Sequence, residues 1–391
     1  MIYLDHAATT PTDPRVVEAM MPYLTYEFGN PGSVHPYGKS AGEAVDRARE
    51  QTARFFHCDP SQILFTSGGT EGNNMIFSGI VPELRRRKKN TVLISGIEHD
   101  SVWKSAERVR IKDGFHIRVC MPEENGSIPC VLVYDMIDKD TGLVSVMAAN
   151  NETGVANDVY SIGRVCQDCG VLFHTDAVQF AAVEAPDTSD DFRYADFITV
   201  SGHKLGGPKG IGALFVRDHD LLEPLIVGGA EQEFGFRGGT ENVPGIVGLG
   251  KACEILCEEQ QKHRAYLASQ HSQLIFQLKN LAQRSGVEMR VNGDPQVILP
   301  KTLNVCFPGI DAQSLVLLLA AADICVSAGS ACRAHEHVPS RVLTAMGLSD
   351  EDASSSIRIS LSHTTRPEEI DKAAAAIIDA VKTLKEFQCP A

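Results

Sequence analysis

Between residues 15 and 216 the chain alternates short apolar runs with helical patterns, and this alternation limits its fold more than any other feature. Residues 62–66, 91–94, 143–147, 171–174 and 197–200 read as strands, and 43–56 as an amphipathic helix. Apolar strands separated by helices predict a largely parallel sheet covered on both faces. Ligands of such sheets bind beyond the carboxyl ends of the strands. Polar clusters follow the strands here: Thr66-Ser67-Gly68-Gly69-Thr70, Glu98-His99, Asn150-Asn151-Glu152, Asp176 and Ser201-Gly202-His203-Lys204.

A long helical stretch, 243–282, then connects to a different pattern. Residues 302–307 and 356–360 read as strands, and 312–321 and 367–387 as helices. The expectation is an α/β protein of two domains. The large one spans 13–255; a smaller α+β domain combines 1–12 with 256–391 and carries the loop around Cys332.

Composition removes several classes. A net charge of −14 argues against direct nucleic-acid binding, which needs a basic surface. The basic run Arg85-Arg86-Arg87-Lys88-Lys89 reads as a solvated helix end. The start of the chain shows no secretory pattern, and the longest apolar run, near residues 315–322, is too short to span a membrane. Eleven cysteines, odd in number and widely spread, suit reduced thiols in a cytoplasm. Cys166 and Cys169 have C-x-x-C spacing without a second ligand pair, so a structural role is expected, not a zinc site. Cys253 and Cys257, one helical turn apart, read as small core residues.

The chemistry concentrates in four places. The turn Ser67-Gly68-Gly69-Thr70 follows a strand and opens a helix, so its amides form a ready anion site, with the Thr70 hydroxyl as an added donor. Asp176 ends an apolar strand, where a buried carboxylate needs either a cationic partner or a helix to cap. Lys204 follows another strand among small residues, with room for a planar ring on its amine; Lys209 lies close by in a Gly-Pro-Lys-Gly turn. Cys332 closes Ser327-Ala328-Gly329-Ser330-Ala331-Cys332, a run of small residues that lets a thiol move. A lysine that forms a Schiff base, paired with a mobile thiol, points to chemistry on a sulfur-bearing amino acid.

Those segments resemble the class V branch of pyridoxal-phosphate enzymes, specifically cysteine desulfurases of the NifS/IscS type. The likeness extends through Tyr3-Leu4-Asp5-His6-Ala7-Ala8-Thr9-Thr10-Pro11, Gly29-Asn30-Pro31-Gly32-Ser33-Val34-His35, Arg237-Gly238-Gly239-Thr240-Glu241-Asn242 and Ile357-Arg358-Ile359-Ser360. It implies pyridoxal-phosphate fold type I, pyridoxal 5'-phosphate as cofactor and a homodimer. Lys204 is then the Schiff-base lysine and the base at the substrate α-carbon. Asp176 pairs with the pyridine nitrogen, Gln179 lies on the ring-hydroxyl side, and His99 stacks on the ring. Thr70, Ser201 and His203, with the Gly69 turn, hold the phosphate, and Thr240 reaches the phosphate of the partner subunit. Arg358 clamps the substrate carboxylate, with Asn151 beside it at the substrate end.

The implied reaction converts L-cysteine to L-alanine, leaves a persulfide on Cys332 and passes the sulfur to an acceptor protein. Iron–sulfur cluster assembly, tRNA thiolation and DNA phosphorothioation are the candidate destinations. The short loop resembles group I desulfurases. Gly69 stands where the family commonly has alanine. Rival readings are a selenocysteine lyase, an aminotransferase, for which Cys332 has no evident use, and a catalytically idle, cofactor-bound scaffold.

Overall fold

The computed structural model describes residues 1–229, 232–329 and 338–388; Cys332 lies outside the described residues. Twelve strands are present among these residues. They are β1 (Ile2–Tyr3), β2 (Ile63–Thr66), β3 (Thr91–Ser95), β4 (His116–Cys120), β5 (Thr141–Ser145) and β6 (Leu172–Asp176), followed by β7 (Phe197–Ser201), β8 (Gly212–Val216), β9 (Arg290–Asn292), β10 (Thr302–Cys306), β11 (Ile324–Cys325) and β12 (Ser356–Ser360).

Seven strands form one sheet in the order β2-β8-β7-β6-β5-β3-β4. β8 runs antiparallel to both β2 and β7, and every other pair is parallel. Successive side chains serve opposite faces. In β3, Val92 and Ile94 pack with Met75, Phe77 and Val102, whereas Leu93 joins Phe55, Val144 and Phe173 on the other side. Both faces are apolar, which is why the strands read as continuous hydrophobic runs. Phe56, Phe173 and Phe215 are fully buried there, and truncating any one to alanine costs about 3–5 kcal/mol.

Helices cover both faces, as the alternation requires. Gly69–Gly79 and Asp100–Asp113 pack on one side. Pro36–Phe56 and Val159–Asp168 pack on the other, and the first turns of Val243–Ser285 join them. Pro36–Phe56 begins seven residues before the 43–56 read from periodicity, with Pro36 at its first turn and the His35 ring accepting from Gly38 N. The expected domain boundary near 255 falls inside the 43-residue helix Val243–Ser285.

A second, antiparallel sheet has the order β12-β10-β9, and β1 pairs in parallel with β11. Ile357 and Ile359 face the core built from Leu4, Leu274, Leu303 and Ile370, so Arg358 between them points the opposite way. The beginning of the chain runs alongside: Ser360 N donates to Leu4 O at 2.7 Å and Ala7 N to Ser360 Oγ at 2.8 Å. These bonds carry residues 5–9 to the carboxyl end of the large sheet.

The thiol and charge expectations can be placed as well. Cys166 is buried in the core, and no group of three or more metal-ligating side chains occurs among the described residues. Cys253 is buried and Cys257 partly so. Arg86 and Arg87 pair with Glu83 at the end of the helix Val81–Arg86. No helix among the described residues is long and apolar enough to cross a membrane.

Candidate active site

The carboxyl ends of β2, β6 and β7 open into a cavity of about 540 Å³. Its lining includes Gly69, Thr70, His99, Asn151, Asp176, Gln179, Ser201, His203, Lys204 and Arg358. Residues separated by up to hundreds of positions thus meet in one place, at the strand ends where the sheet topology puts ligands.

After β2 the backbone turns through Gly68, whose φ of +147° is open to glycine and strained for other residues. The turn leads directly into the helix Gly69–Gly79. Unpaired amides at the start of that helix, beside the Thr70 hydroxyl, suit an anion. Glu71 braces the turn by accepting from Ser67 N at 2.9 Å, and Arg237 holds Glu71 at 3.0 Å. A Cβ on Gly69 would come within 2.9 Å of Val178 Cγ2, so glycine leaves room for that side chain.

Asp176, at the last position of β6, is 4% exposed. Its Oδ2 accepts from Asn73 Nδ2 at 2.8 Å and its Oδ1 from Val178 N at 3.0 Å. Gln179 Nε2 donates to Ala7 O at 3.0 Å, while its Oε1 is buried without a hydrogen-bond partner among the described residues. His99 caps the helix Asp100–Asp113: Ser101 N donates to its Nδ1 at 3.1 Å, and the Ser101 hydroxyl sits 2.8 Å from the same nitrogen.

Lys204 ends the short helix Gly202–Lys204 that follows β7. Its Nζ donates to Ala7 O and Ala8 O, each at 2.6 Å. His203 places Nδ1 3.1 Å from Thr9 Oγ1. Burial, aided by Lys204, Lys209 and Lys301, pushes the His203 imidazole down to about 4, so it is neutral at physiological pH.

Arg358 is 1% exposed. One terminal nitrogen donates to Asn151 O at 2.9 Å and the other to Asp5 Oδ1 at 2.8 Å, while its buried Nε has no partner among the described residues. A fixed guanidinium in the cavity wall is suited to a small carboxylate. Glu98 lies behind His99, fully buried. Burial pushes its carboxyl up to about 8 against the opposing pull of Ser95 Oγ, and the Asp176 charge adds to the rise.

Thr240 stands apart from this cavity. It lines a neighbouring recess of about 190 Å³ that shares Ser67 and Gly210 with it. Cys332 is outside the described residues, but Gly329 and Val338 on either side of that segment line a further cavity of about 190 Å³ together with His99 and Asn151.

Pyridoxal phosphate fits the residues present. The helix amides and Thr70 match its phosphate, the buried Asp176 carboxylate matches a pyridinium, and the unpartnered Gln179 Oε1 matches a ring hydroxyl. The family model described as "Aminotransferase class-V" matches residues 2–373. The chain belongs to the class V aminotransferase family. A putative cysteine desulfurase IscS 1 of Bacillus subtilis is 40% identical over 385 residues, covering 98% of this chain and 99% of its own length. A solved NifS-like protein superposes with a TM-score of 0.89 at 34% identity, covering 98% of this chain and all of its own. A structure of SspA in complex with cysteine gives a TM-score of 0.79 at 34% identity, covering 93% of this chain and 99% of that one. Members of this class V family use pyridoxal phosphate, and the fold is the fold type I expected from the sequence.

Sequence reasoning assigned no role to Asn73, Ser101 or Asp5. Asn73 and Asp5 stand inside recognisable motifs, but their partners are distant in sequence. Asp5 and Arg358 are 353 positions apart, and Asn73 and Asp176 are 103 apart. No local spacing encodes such a meeting.

Proposed function

We propose that this protein is a cysteine desulfurase acting in the cytoplasm. L-cysteine and the Cys332 thiol become L-alanine and a Cys332 persulfide. The gathering of Lys204, Asp176 and Arg358 around one cavity carries the proposal, because the three supply an amine, a counter-ion for a pyridinium and a carboxylate clamp in a single enclosure.

Pyridoxal phosphate, when bound, supplies an electron sink for the substrate α-carbon. Asp176 would hold its ring nitrogen, Gln179 its hydroxyl side and His99 its ring face, with Gly69, Thr70, Ser201 and His203 at the phosphate. Arg358 binds the substrate carboxylate beside Asn151 and so fixes which bond at the α-carbon faces Lys204. The Lys204 amine then takes the α-proton on Nζ. The Cys332 thiolate attacks the substrate sulfur: an S–S bond forms, the Cβ–S bond breaks, and its electron pair stays with the carbon skeleton that becomes alanine. Small residues before Cys332 suit a thiol that approaches and then withdraws.

The functional unit is a homodimer in which Thr240 completes the phosphate site of the partner subunit. A recess that holds Thr240 just outside this chain's own cavity supports that reading. The persulfide passes to an acceptor protein, with iron–sulfur assembly among its destinations.

Mass spectrometry of the protein after L-cysteine, with alanine quantified, tests the reaction beside a Cys332→Ala variant. A persulfide on Cys332 and alanine formation that the variant loses are expected. A cofactor-loaded protein that yields neither would sink the reading.

A further inference from the structure

A second cavity, of about 260 Å³, lies between the core of the large sheet and that of the three-stranded sheet. Leu205, Ala252 and Ile255 reach it from the first core, Leu267 and Leu361 from the second. Lys204 is shared with the large cavity, and no other described residue lines both. Aliphatic side chains dominate the wall. An apolar enclosure with a few placed polar groups is the usual form of a small-molecule site. This one falls just below the common range of such pockets, about 300–1,000 Å³, so its occupant is small.

Lys301, the residue before β10, belongs to this wall and is 4% exposed. Its ammonium makes no hydrogen bond or ion pair with any described residue. The other charged and titratable groups of the wall are engaged. Lys204 donates to Ala7 O and Ala8 O, and Arg15 occupies both oxygens of Asp13 at 3.1 and 2.9 Å. His263 Nε2 lies 3.2 Å from Glu259 Oε2, and the His363 ring stacks on His263 with centroids 3.9 Å apart. Lys301 is therefore the wall's one charged side chain left without a partner among the described residues.

A buried ammonium is unfavourable unless an acceptor meets it. Burial, then the Lys204 and Arg358 cations, push Lys301 down to about 7, and an anion beside it would favour the charged form again. The surroundings also select the kind of anion. One cation calls for one negative charge, and the Asp13 carboxylate in the wall opposes a second. The aliphatic wall favours hydrocarbon on the rest of the molecule.

We propose that this cavity is a second binding site, for a small aliphatic monocarboxylate whose charged end meets Lys301 and whose hydrocarbon end lies against Ile255, Leu267 and Leu361. The site is separate from the cofactor and substrate positions assigned above, and the proposal does not depend on the desulfurase reading.

Ligand-observed NMR titration of the holoenzyme with acetate, butyrate and inorganic phosphate tests it. Butyrate is expected to bind saturably and more tightly than acetate, by about fourfold for each added methylene. Phosphate is expected not to displace it. Lys301→Met removes the charge at similar length and should weaken butyrate binding about 10- to 100-fold, the worth of a hydrogen bond to a charged group. Ala182→Leu fills the cavity while leaving Lys301 in place, and should abolish butyrate binding. Butyrate held at Arg358 instead would be indifferent to both variants, and that result overturns the proposal. So does the absence of saturable butyrate binding to the wild type, and displacement by phosphate overturns the assigned ligand class. Failure of the desulfurase reading would appear in the persulfide and alanine assay, with the butyrate titrations unaffected.

Discussion

Asn73 holds Asp176 from behind: its side-chain amide donates to Asp176 Oδ2 at 2.8 Å, and the same nitrogen donates to Ser101 Oγ, also at 2.8 Å. Ser101 in turn engages His99 Nδ1 through its backbone N–H and its hydroxyl. Because the N–H must donate, Nδ1 is an acceptor, and the proton of a neutral His99 ring is on Nε2. One fully buried amide therefore sets two groups that line the large cavity. Asn73→Leu is expected to weaken pyridoxal-phosphate binding about 10- to 100-fold, the worth of a hydrogen bond to a charged group. Asn73→Asp should be worse, since a second carboxylate beside Asp176 favours protonating one of them. Fluorescence titration of the cofactor-free variants measures both. Wild-type affinity in Asn73→Leu would remove Asn73 from the site.

Arg358 depends on Asp5 in a comparable way. The 2.8 Å pair joins a buried Arg358 to a half-buried Asp5, with side-chain exposures of 2% and 16%, and Asn151 O fixes a second guanidinium nitrogen. Arg358→Lys keeps the charge but loses the planar fork, so KM for L-cysteine should rise about 10- to 100-fold with a smaller change in kcat. Asp5→Asn keeps the shape and should raise KM less. Steady-state kinetics over a wide cysteine range separates the two constants; a fall in kcat alone would assign Arg358 to something other than carboxylate binding.

The legible parts of this molecule were those written locally. Thr70, His99, Asp176 and Lys204 each follow a strand within a few residues, so an apolar run and its polar sequel sufficed to find them. β8 was not visible, because its antiparallel place between β2 and β7 is a matter of tertiary pairing and not of its own residues. Strand β5 ends at Ser145, two residues before the expected end. Val146 and Met147 are apolar because they are buried, yet Met147 N leaves the ladder to donate to Glu98 Oε1 at 2.6 Å. β4 alternates polar and apolar side chains at the sheet edge and carries a weaker signal than the buried strands. Asp5 belongs to the site through a contact with Arg358 that only folding creates.

Acid stability should follow the buried imidazoles. His174 is wholly buried between Ser145 Oγ at 2.8 Å and Thr199 Oγ1 at 3.2 Å, and burial pushes it down to about 3. The unfolded chain takes up this proton near pH 6.5 and the folded one does not. The stabilisation is therefore complete above pH 6.5 and is lost as pH falls toward 3, at up to about 1.4 kcal/mol per pH unit. Glu98 has the opposite sign: raised to about 8, it favours the fold below its unfolded value near 4.5 and loses that contribution as pH rises to 8. His6, His203 and His363, each pushed down to about 4 chiefly by burial, add to His174 below pH 6.5, so urea midpoints between pH 4.5 and 8.5 should trace a maximum. Glu98→Gln should flatten the alkaline side and steepen the acid side, because the Glu98 contribution falls throughout pH 4.5 to 8; an unchanged alkaline slope would mean that Glu98 is ionised in the fold.

Arg49 and Glu233 form a buried bidentate pair, at 2.7 and 2.9 Å, with side-chain exposures of 11% and 3%. Glu233 Oε2 also accepts from Phe65 N at 2.6 Å, and Arg49 donates to Ile63 O at 2.6 Å, which ties both residues to the edge strand β2. In return the pair pins a strained backbone: Glu233 and Phe234 have φ of 43° and 54°, values that non-glycine residues rarely adopt. The guanidinium lies over the Phe65 and Phe234 rings at 4.6 and 5.0 Å and completes the clamp. Glu233→Gln leaves a buried cation without its counter-charge and should cost about 3–5 kcal/mol of stability. The double variant Arg49→Met with Glu233→Leu removes both charges and should recover part of that loss, less what Phe65 N and Ile63 O forfeit as unpaired groups. Thr240 follows this clamp by seven residues, so relaxing it should also weaken self-association. Urea unfolding of the single and double variants, with sedimentation to follow oligomeric state, reads both effects. A single-variant cost below about 1 kcal/mol, the range of an exposed ion pair, would show that the pair does not hold the segment.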